Sequence, residues 1–388
     1  ATINFNVGEV ARTPILAKAI QNPALRPLAE SSVELSQSDW DAFERSWDFQ
    51  SLPLLTASTE PTPTLESSYT AWITLNRDTI AEMKRLEEEN NRLFIDAYGL
   101  ADELTPEVPI AQITLTVNPA YRYGGTLTEE ELWTRFRQDT VQELVSYAIG
   151  CMMGRYSLDE PGLIYANSGN VGFDPSRYGA FPADGDGIVP LTDTQWFVDD
   201  AAERLVEFLS VAFDSSHLEE NLMFIADNLS PRKGESSRET IRRYLRDGFF
   251  ADHVQTYKKR PIYWLFSSGR QKAFQCLVYL HRYNEGTLAR MRSEYVIPLQ
   301  GKMAAQLERL TGDISAATST THRRRLEKEQ DRLLKQQVEL VGFDEKLRHY
   351  ADQRISLDLD DGVKVNYGKF GDLLADVKDI HGKKADTP

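Results

Sequence analysis

The fold of the chain is decided by residues 258–280, which read KKRPIYWLFSSGRQKAFQCLVYL. Two apolar runs, rich in aromatic and β-branched residues, flank a polar break with a glycine, and this pattern predicts a β-hairpin. Pro261 restricts the first run to the start of a strand or to an edge strand. A helix that begins at Arg270 is the alternative, because Ser268 and Gln271 have the spacing of a capping box.

The first apolar run carries three aromatic residues, Tyr263, Trp264 and Phe266. Successive residues of a strand point to opposite sides of a sheet, so we expect these rings to divide between a buried face and a contact face. Basic residues bracket the hairpin, which makes it the segment that best combines apolar, aromatic and cationic character.

Charge is unevenly distributed along the chain. The formal net charge is −15, but residues 232–302 contain 15 Lys and Arg against 6 Asp and Glu, so this segment carries +9 and the rest −24. Such asymmetry predicts one basic face on an acidic protein, as nucleic-acid phosphates require. The alternative is a helix surface whose basic side chains pair with acidic neighbours. Eight residues are predicted to contact DNA: Arg242, Arg243, Arg246, Lys258, Lys259, Arg260, Arg270 and Lys272.

Composition predicts a globular protein with a sizeable core. The chain has 388 residues, of which 41% are hydrophobic, enough for two or three domains. No apolar run reaches the length of a membrane span and no secretory signal is visible, so we expect a cytoplasmic protein. Cys151 and Cys276 lie in apolar runs and are expected to be buried free thiols. The chain starts at Ala1 as if within a strand, so we expect a fragment of a longer protein.

Helical periodicity dominates most of the chain. Residues 65–98 are predicted to form one helix that ends at Gly99. Residues 287–310 and 322–355 are expected to pair as a long helical hairpin, bent or broken at Pro298. Further helices are predicted through Trp40, Phe43 and Trp47, at residues 126–153 and 217–228, after a capping box at Thr192 and Gln195, and after another at Ser236 and Glu239.

Together these elements predict an α+β protein that is mainly α: a helical domain with small β-hairpin or sheet elements and long coiled-coil-like helices. Four parts are expected along the chain: a linker-like arm at residues 1–64, a spacer helix and strand at 65–125, a mostly helical domain with the basic β-hairpin at 126–300, and a long helical hairpin with an acidic tail at 301–388.

A short motif raises the question of catalysis. Residues 110–117 alternate like a strand and end in Asn118-Pro119-Ala120-Tyr121. These four residues resemble the Asn-Pro-Pro-Tyr element of amino-methyltransferases, which binds the target amine and stacks a ring on a flipped base. Ala120 replaces the second proline, and we favour the alternative, a strand followed by an Asn-Pro turn.

Metal sites and other catalytic constellations are not predicted. Asp184 and Asp186 lie in a Gly- and Pro-rich segment, residues 159–190, which is expected to be a long surface loop. No glutamate completes a calcium-binding loop around the pair. The six histidines are scattered, away from Cys or acidic residues at metal-ligand spacing. The sequence shows no phosphate-binding loop, dinucleotide fingerprint or nucleophile–base pair, and no catalytic residue is assigned.

Five stretches of the sequence carry a family resemblance. They are INFNVGEV at 3–10, SDWD with SWDF at 38–49, ELVSYAIGCMMGRYSLD at 143–159, RPIYWLFSSG at 260–269 and DLDDGVKVNYGK at 358–369. Together they resemble the C-terminal part of the PglX family, the adenine-specific DNA methyltransferases of BREX phage-exclusion systems. The resemblance extends from end to end of the chain.

The resemblance implies a longer parent protein that uses S-adenosylmethionine to methylate adenine in double-stranded DNA. The methyl mark would protect host DNA from the defence complex. Because the chain lacks a cofactor loop and a complete Asn-Pro-Pro-Tyr element, we expect it to bind no cofactor and transfer no methyl group itself. Two functions are therefore open: a DNA-engaging, target-recognition and spacer portion, or a protein-interaction module that docks other phage-defence subunits or a phage-encoded inhibitor.

Overall fold

A computed structural model describes residues 12, 14–376, 378, 380 and 382, so the stretch at residues 3–10 lies outside the described residues. The described chain is mainly α-helical with a small three-stranded antiparallel sheet, which confirms the predicted fold class. It divides into two compact units, one made of Ala1–Thr59 and Ser67–Arg137 and the other of Glu60–Glu66 and Gln138–Pro388.

The first helices of the chain include the long one predicted from the sequence. They are α1 Ala17–Ile20, α2 Leu25–Asp41, α3 Leu65–Tyr98 and α4 Pro119–Tyr123. Helix α3 has the predicted bounds. Gly99 follows it with a φ of +69°, the left-handed conformation that glycine adopts most readily at the end of a helix.

The short helix predicted through Trp40, Phe43 and Trp47 is wrong, because α2 begins earlier and ends at Asp41. The Ser46 hydroxyl donates to Asp41 Oδ1 at 2.5 Å and accepts from the N–H of Asp48 at 3.1 Å. Such local side-chain hydrogen bonds favour turns over helix. Trp47 is 97% exposed and is not a packing residue within the described chain.

The strand predicted at residues 110–117 is also wrong. The segment forms a 3-10 turn, Ile110–Gln112, followed by irregular chain. The Asp39 carboxylate, 8% exposed, accepts from the N–H groups of Thr116 at 2.7 Å and Val117 at 2.9 Å. Because a side chain satisfies these backbone donors, the segment needs no neighbouring strand.

The helices that follow along the described chain confirm those predicted at residues 126–153, at 217–228 and after Ser236. They are α5 Glu129–Met152, α6 Ala201–Ala212, α7 Leu218–Asn228, α8 Ser237–Asp247, α9 Phe249–Thr256, α10 Thr287–Arg290, α11 Ile297–Ala316, α12 Thr320–Asp352 and α13 Gly362–Gly368. The predicted cap at Thr192 is wrong. Asp200 caps α6 instead, accepting from the N–H groups of Ala202 at 3.1 Å and Glu203 at 3.0 Å.

The sheet contains the predicted hairpin. Its strands are β1 Ile188–Pro190, β2 Tyr263–Ser267 and β3 Gln275–Tyr279, in the order β1-β3-β2. Strands β2 and β3 are antiparallel, with Tyr263 opposite Tyr279. The alternative helix from Arg270 is wrong. Glu339 of α12 accepts from the N–H groups of Gln271 at 2.6 Å and Ala273 at 3.2 Å, which fixes the polar break as a turn.

Both faces of β2 are covered, so the predicted division of its aromatic rings between a buried and a contact face is wrong. Tyr263, Trp264 and Phe266 are each at most 1% exposed. Phe370, from the segment after α13, packs against Trp264 with a centroid distance of 5.7 Å and against Phe266 with one of 5.6 Å. The same segment reaches the free edge of β2, where the Ala375 N–H donates to the carbonyl of Leu265 at 2.8 Å.

Helices α11 and α12 form the predicted helical hairpin. The helix is not broken at Pro298. Instead, a π-helical segment, Met291–Val296, joins α10 to α11 directly before this residue. Proline has no N–H group, so it interrupts the helical hydrogen bonds of the preceding turn. A π-helical segment is one way in which a helix continues past such an interruption.

Residues 159–190 are mostly irregular, as predicted, but they are anchored to the core rather than free on the surface. Arg282, 1% exposed, donates to Asn170 Oδ1 at 3.0 Å and to the carbonyls of Asp184 at 2.5 Å and Gly185 at 2.9 Å. These bonds satisfy its Nε, Nη1 and Nη2 atoms. The loop therefore contributes to the packing around the sheet.

The two cysteines, Cys151 and Cys276, are buried free thiols, as predicted. Burial raises the pKa of both thiols, so neither is an activated nucleophile. Among the helices that the structure describes, none is long and apolar enough to cross a lipid bilayer.

Candidate nucleic-acid interface

Helix α8 carries three of the predicted DNA-contacting residues, Arg242, Arg243 and Arg246. Its N-terminus has the predicted capping box: Glu239 N–H donates to the Ser236 hydroxyl at 3.3 Å, and Ser236 N–H donates to the Glu239 carboxylate at 2.8 Å. Ile241 and Leu245 are buried, which fixes the rotation of the helix. The arginines therefore lie on its remaining surface.

Arg242 and Arg243 are held by carboxylates of the same unit. Arg242, whose side chain is 16% exposed, binds Asp200 at 2.6 Å and Glu203 at 3.1 Å, both at the start of α6. Arg243 donates to Glu235 Oε1 at 2.8 Å. The hydrogen bond from Arg243 lowers the pKa of Glu235 to about 2. Both guanidinium groups are thus neutralised within the chain.

Arg246 and Lys272 converge on Asp247 at the end of α8. Arg246 Nη2 lies 2.8 Å from Asp247 Oδ2, and Lys272 Nζ lies 2.7 Å from Asp247 Oδ1. Burial acts to raise the pKa of Asp247, but the hydrogen bonds from Arg246 and Lys272 outweigh it and lower the value to about 2. Arg246 also approaches Asp193, at 3.9 Å.

Lys258, Lys259 and Arg260 differ from these four residues. We call residues 258–260 the basic turn; it links α9 to β2. All three side chains are exposed, and none forms an ion pair within the described part of the chain. The backbone is fixed, because the N–H of Lys259 donates to the carbonyl of Val254 at 2.8 Å and that of Arg260 to Tyr257 at 3.0 Å. A rigid backbone therefore presents three unpaired cations.

The two lysines of the basic turn have left-handed backbone conformations, with φ of +49° at Lys258 and +64° at Lys259. A left-handed residue commonly ends a helix, and glycine is the residue that adopts this conformation at least cost. A side chain here costs on the order of 1 kcal/mol relative to a relaxed backbone. The turn thus has lysines at two positions where glycine would make the backbone more stable.

Arg270 is the eighth predicted residue and lies in the turn between β2 and β3. It is exposed, and no carboxylate of the described chain pairs with it. The turn is held by Glu339, which also accepts from the Ser268 hydroxyl at 2.7 Å. Arg270 and the basic turn lie at opposite ends of β2, so at about 3.3 Å per residue they are at least about 13 Å apart.

The structure therefore separates the eight predicted residues into two sets of four. Arg242, Arg243, Arg246 and Lys272 are paired with carboxylates, whereas Lys258, Lys259, Arg260 and Arg270 are unpaired among the described residues. Sequence reasoning missed Glu339, which organises the hairpin turn from α12. No local signal marks it, because its contacts lie 66 to 71 residues away along the chain.

Asn118 is the N-cap of helix α4, so the favoured alternative, a strand followed by an Asn-Pro turn, is also wrong. Asn118 is 1% exposed, and its Nδ2 donates to the carbonyls of Ile110 at 2.7 Å and Ile113 at 2.9 Å. Its Oδ1 accepts from the N–H of Ala120 at 3.2 Å, which caps α4. Both ends of the amide therefore form hydrogen bonds within the chain, and these bonds hold Asn118 in its capping position.

The Asp184 and Asp186 carboxylates accept hydrogen bonds from backbone N–H groups. Asp184 Oδ1 accepts from the N–H of Gly187 at 2.6 Å, and Asp186 Oδ1 accepts from that of Ile188 at 2.8 Å. Burial, together with the neighbouring Asp184, raises the pKa of Asp186 to about 7. Over residues 14–376, no group of three or more His, Cys, Asp or Glu side chains is arranged to hold a metal ion.

Two curated proteins are similar to the chain along nearly its whole length. The adenine-specific methyltransferase BrxX of Escherichia coli O9:H4 (strain HS) is 48% identical over 390 residues, covering 98% of this chain and 32% of that protein. The adenine-specific methyltransferase PglX of Lacticaseibacillus casei (strain Zhang) is 41% identical over 373 residues, covering 95% of this chain and 29% of that protein. The chain belongs to this methyltransferase family.

The chain spans about a third of the length of the curated relatives it matches. No protein-family model matches it. The family resemblance drawn from the sequence is confirmed, and the basic turn thereby lies in a homologue of enzymes named for adenine methylation.

Proposed function

We propose that the chain is the DNA-engaging, target-recognition and spacer portion of a BREX-type, site-specific adenine DNA methyltransferase that acts in phage defence, corresponding to the C-terminal part of its relatives. The observation that carries this proposal is the basic turn. Three adjacent exposed cations without carboxylate partners in the described chain are an electrostatic footprint for phosphate, and they occur on a protein whose net charge is −15.

In this proposal the unpaired residues of the hairpin region contact the DNA backbone. Lys258, Lys259 and Arg260 bind phosphates at one end of β2, and Arg270 binds at the other. Such contacts position the protein on the duplex without reading the sequence, which is read at base edges. The paired set, Arg242, Arg243, Arg246 and Lys272, reaches DNA only by exchanging its carboxylate partners for phosphates.

Methyl transfer is proposed to belong to the part of the relatives that this chain does not span. The chain then needs no cofactor of its own, and S-adenosylmethionine binds to another part of the parent protein. The parent protein is proposed to act in the cytoplasm. Calorimetric titration of residues 1–388 with S-adenosylmethionine tests this directly. We expect no binding, and micromolar affinity would contradict the proposal.

A protein-interaction module is the second candidate, and one observation favours it. Leu334, Val338 and Val341 of α12 are 45%, 75% and 48% exposed and lie at helical spacing on one side of the helix. An exposed apolar stripe of this kind suits docking of another phage-defence subunit or of a phage-encoded inhibitor. Association through it would depend little on salt, unlike binding to DNA.

The test is a charge reversal of the basic turn in the full-length parent protein. Lys258, Lys259 and Arg260 are changed together to Glu, and affinity for cognate and scrambled duplexes is measured at two salt concentrations. We expect both affinities to fall about equally. The slope of log K against log salt should fall by about 0.9 for each DNA phosphate that the variant no longer neutralises.

A matched control is available in α12, where Arg323, Arg324 and Arg325 are also exposed and adjacent. Reversing these three gives the same change in net charge. They lie about 20 Å along α12 from Glu339, at 1.5 Å per residue. We expect a much smaller loss of DNA affinity. If the basic-turn variant stays folded and behaves like this control, the turn does not touch DNA and the docking function is the better one.

A further inference from the structure

One face of the sheet carries a row of four aromatic rings. The ring centroids are 4.8 Å apart between His253 and Tyr263, 5.6 Å between Tyr263 and Tyr279, and 4.9 Å between Tyr279 and His281. Tyr263 and Tyr279 are paired directly across β2 and β3. Arg155, in the loop after α5, is close enough to both histidines for its charge to act on them.

Both histidines are neutral at pH 7. Burial, and then the charge of Arg155, lowers the pKa of His253 to about 3 and that of His281 to about 4. His253 Nε2 accepts from the N–H groups of Ile262 and Tyr263, each at 3.1 Å, so its proton is on Nδ1. This buried Nδ1–H has no acceptor in the described chain. The positive charge of the cluster therefore belongs to Arg155.

Arg155 is less completely hydrogen-bonded than Arg282. Its guanidinium carbon lies 5.2 Å from the centroid of the Tyr156 ring, and it hydrogen-bonds to Tyr279. Its Nε is buried without a hydrogen-bond partner, and no carboxylate of the described residues pairs with it. Arg282, by contrast, uses all three of its nitrogens. A largely buried cation without a counter-ion is costly, because its desolvation is not compensated.

We propose that Arg155 binds an oxyanion of the phosphate class, with the Nδ1–H of His253 as a further donor. Arg155 keeps part of its surface exposed although its Nε is buried, and the proposal requires the anion to approach from that exposed part. The planar guanidinium fork matches the oxygens of a phosphate. Such a ligand supplies the negative charge that the described chain does not place beside Arg155.

The position of the cluster indicates where the phosphate comes from. Tyr257 packs on His253 with a centroid distance of 4.8 Å and directly precedes the basic turn. We therefore take nucleic acid bound at the basic turn as the source of the phosphate, and this source rests on the proposed function. Free phosphate offers the same chemistry and is the other source.

Thermal unfolding of residues 1–388 in inorganic phosphate and in chloride, at equal ionic strength, tests the site itself. We expect a saturable rise in Tm with phosphate for the wild-type chain and none for Arg155→Met. In chloride, the Tm of Arg155→Met should not fall, because an uncompensated cation has been removed. The basic-turn reversal should keep the phosphate response. The proposal is overturned if the wild-type chain gains nothing from phosphate, or if Arg155→Met keeps the gain.

DNA binding by the full-length parent protein distinguishes the two sources. If the ligand is a backbone phosphate, Arg155→Met lowers the salt slope by about 0.9 and weakens affinity by about 10- to 100-fold. If DNA binding is unchanged while the phosphate response above depends on Arg155, the ligand is free phosphate and the site stands. The proposed function is tested separately, by the effect of the basic-turn reversal on DNA affinity.

Discussion

Helix α8 and the basic turn are separated by ten residues of sequence and each carries three of the predicted DNA-contacting residues, yet the structure surrounds the two sets of side chains differently. The arginines of α8 bind carboxylates of the same chain, and Arg242 keeps only 16% of its side chain exposed. Lys258, Lys259 and Arg260 find no such partners in the described chain. The comparison teaches that local charge density does not identify a candidate binding surface, because cations of equal density differ in whether carboxylates neutralise them.

The cause of this difference is packing. Helix α8 packs against α6, whose N-terminus carries Asp200 and Glu203 and so meets Arg242. The basic turn follows the end of α9, where the chain reverses into β2 with a left-handed backbone. Its side chains project from that reversal and remain exposed.

The largest expected effect lies in the hairpin that the basic turn leads into. Trp264 is 1% exposed, and its Nε1 donates to the carbonyl of Pro261 at 2.9 Å. Trp264→Ala should lower the free energy of unfolding by about 3–5 kcal/mol, measured by urea denaturation. The triple reversal of the basic turn should change it by less than about 0.5 kcal/mol. An unchanged midpoint for Trp264→Ala would place the ring outside the core.

Arg242→Ala should have the next largest effect, about 3 kcal/mol of lost stability. It leaves the carboxylate of Asp200, which is fully buried, without its counter-ion. The control is Arg238→Ala, whose partner Glu219 is exposed, so its loss should cost less than about 1 kcal/mol. Equal unfolding free energies for the two variants would remove the distinction between neutralised and surface arginines.

The pH dependence of stability gives a smaller effect at Asp247. Hydrogen bonds from Arg246 and Lys272 overcome burial and lower the pKa of this carboxylate from 3.8 to about 2. Its contribution is therefore fully present above about pH 5 and is lost as the pH falls through 4 toward 2. Asp247→Asn should cost about 1 kcal/mol at pH 7, allowing for solvent screening.

Urea denaturation at pH 7 and at pH 3 checks this prediction. The difference in unfolding free energy between the wild-type chain and Asp247→Asn should shrink at the lower pH. A difference that is constant from pH 7 to pH 3 would show that Arg246 and Lys272 do not hold the carboxylate ionised.

The smallest expected effect has the opposite sign. Lys259 has a φ of +64°, so Lys259→Gly should raise the free energy of unfolding by about 0.5 kcal/mol, because glycine relieves the left-handed strain. The same change should weaken DNA binding by the full-length parent protein, because one cation is removed. In Lys259→Gly, stability and DNA affinity should thus move in opposite directions, whereas Arg242→Ala should lower stability. A lower free energy of unfolding in Lys259→Gly would contradict the claim that the backbone at Lys259 is strained.

Sequence reasoning succeeded where the deciding interactions are local. The bounds of α3 follow from apolar periodicity and Gly99, and the start of α8 follows from the Ser236 and Glu239 capping box. It failed at residues 110–117, where alternation predicts a strand. There the backbone is satisfied by Asp39, whose partners lie 77 and 78 residues away.

The same limit applies to the candidate site. All eight basic residues are visible in the sequence, but the carboxylate that neutralises Arg242 lies 42 residues away, at Asp200. Arg155 was not predicted at all, because the absence of a partner is a property of the folded state. Which cations are available is therefore decided by tertiary packing, which composition does not encode.

The contact between Ala375 and Leu265 has a practical consequence for handling the protein. Strand β2 reads Tyr-Trp-Leu-Phe-Ser, a segment with high β-propensity and no charge. Strand β3 forms hydrogen bonds with only one of its two edges. An open edge of this composition is a template for pairing between molecules and for aggregation. The segment after α13 closes that edge, so a chain truncated before residue 370 should precipitate or self-associate even if its helices form.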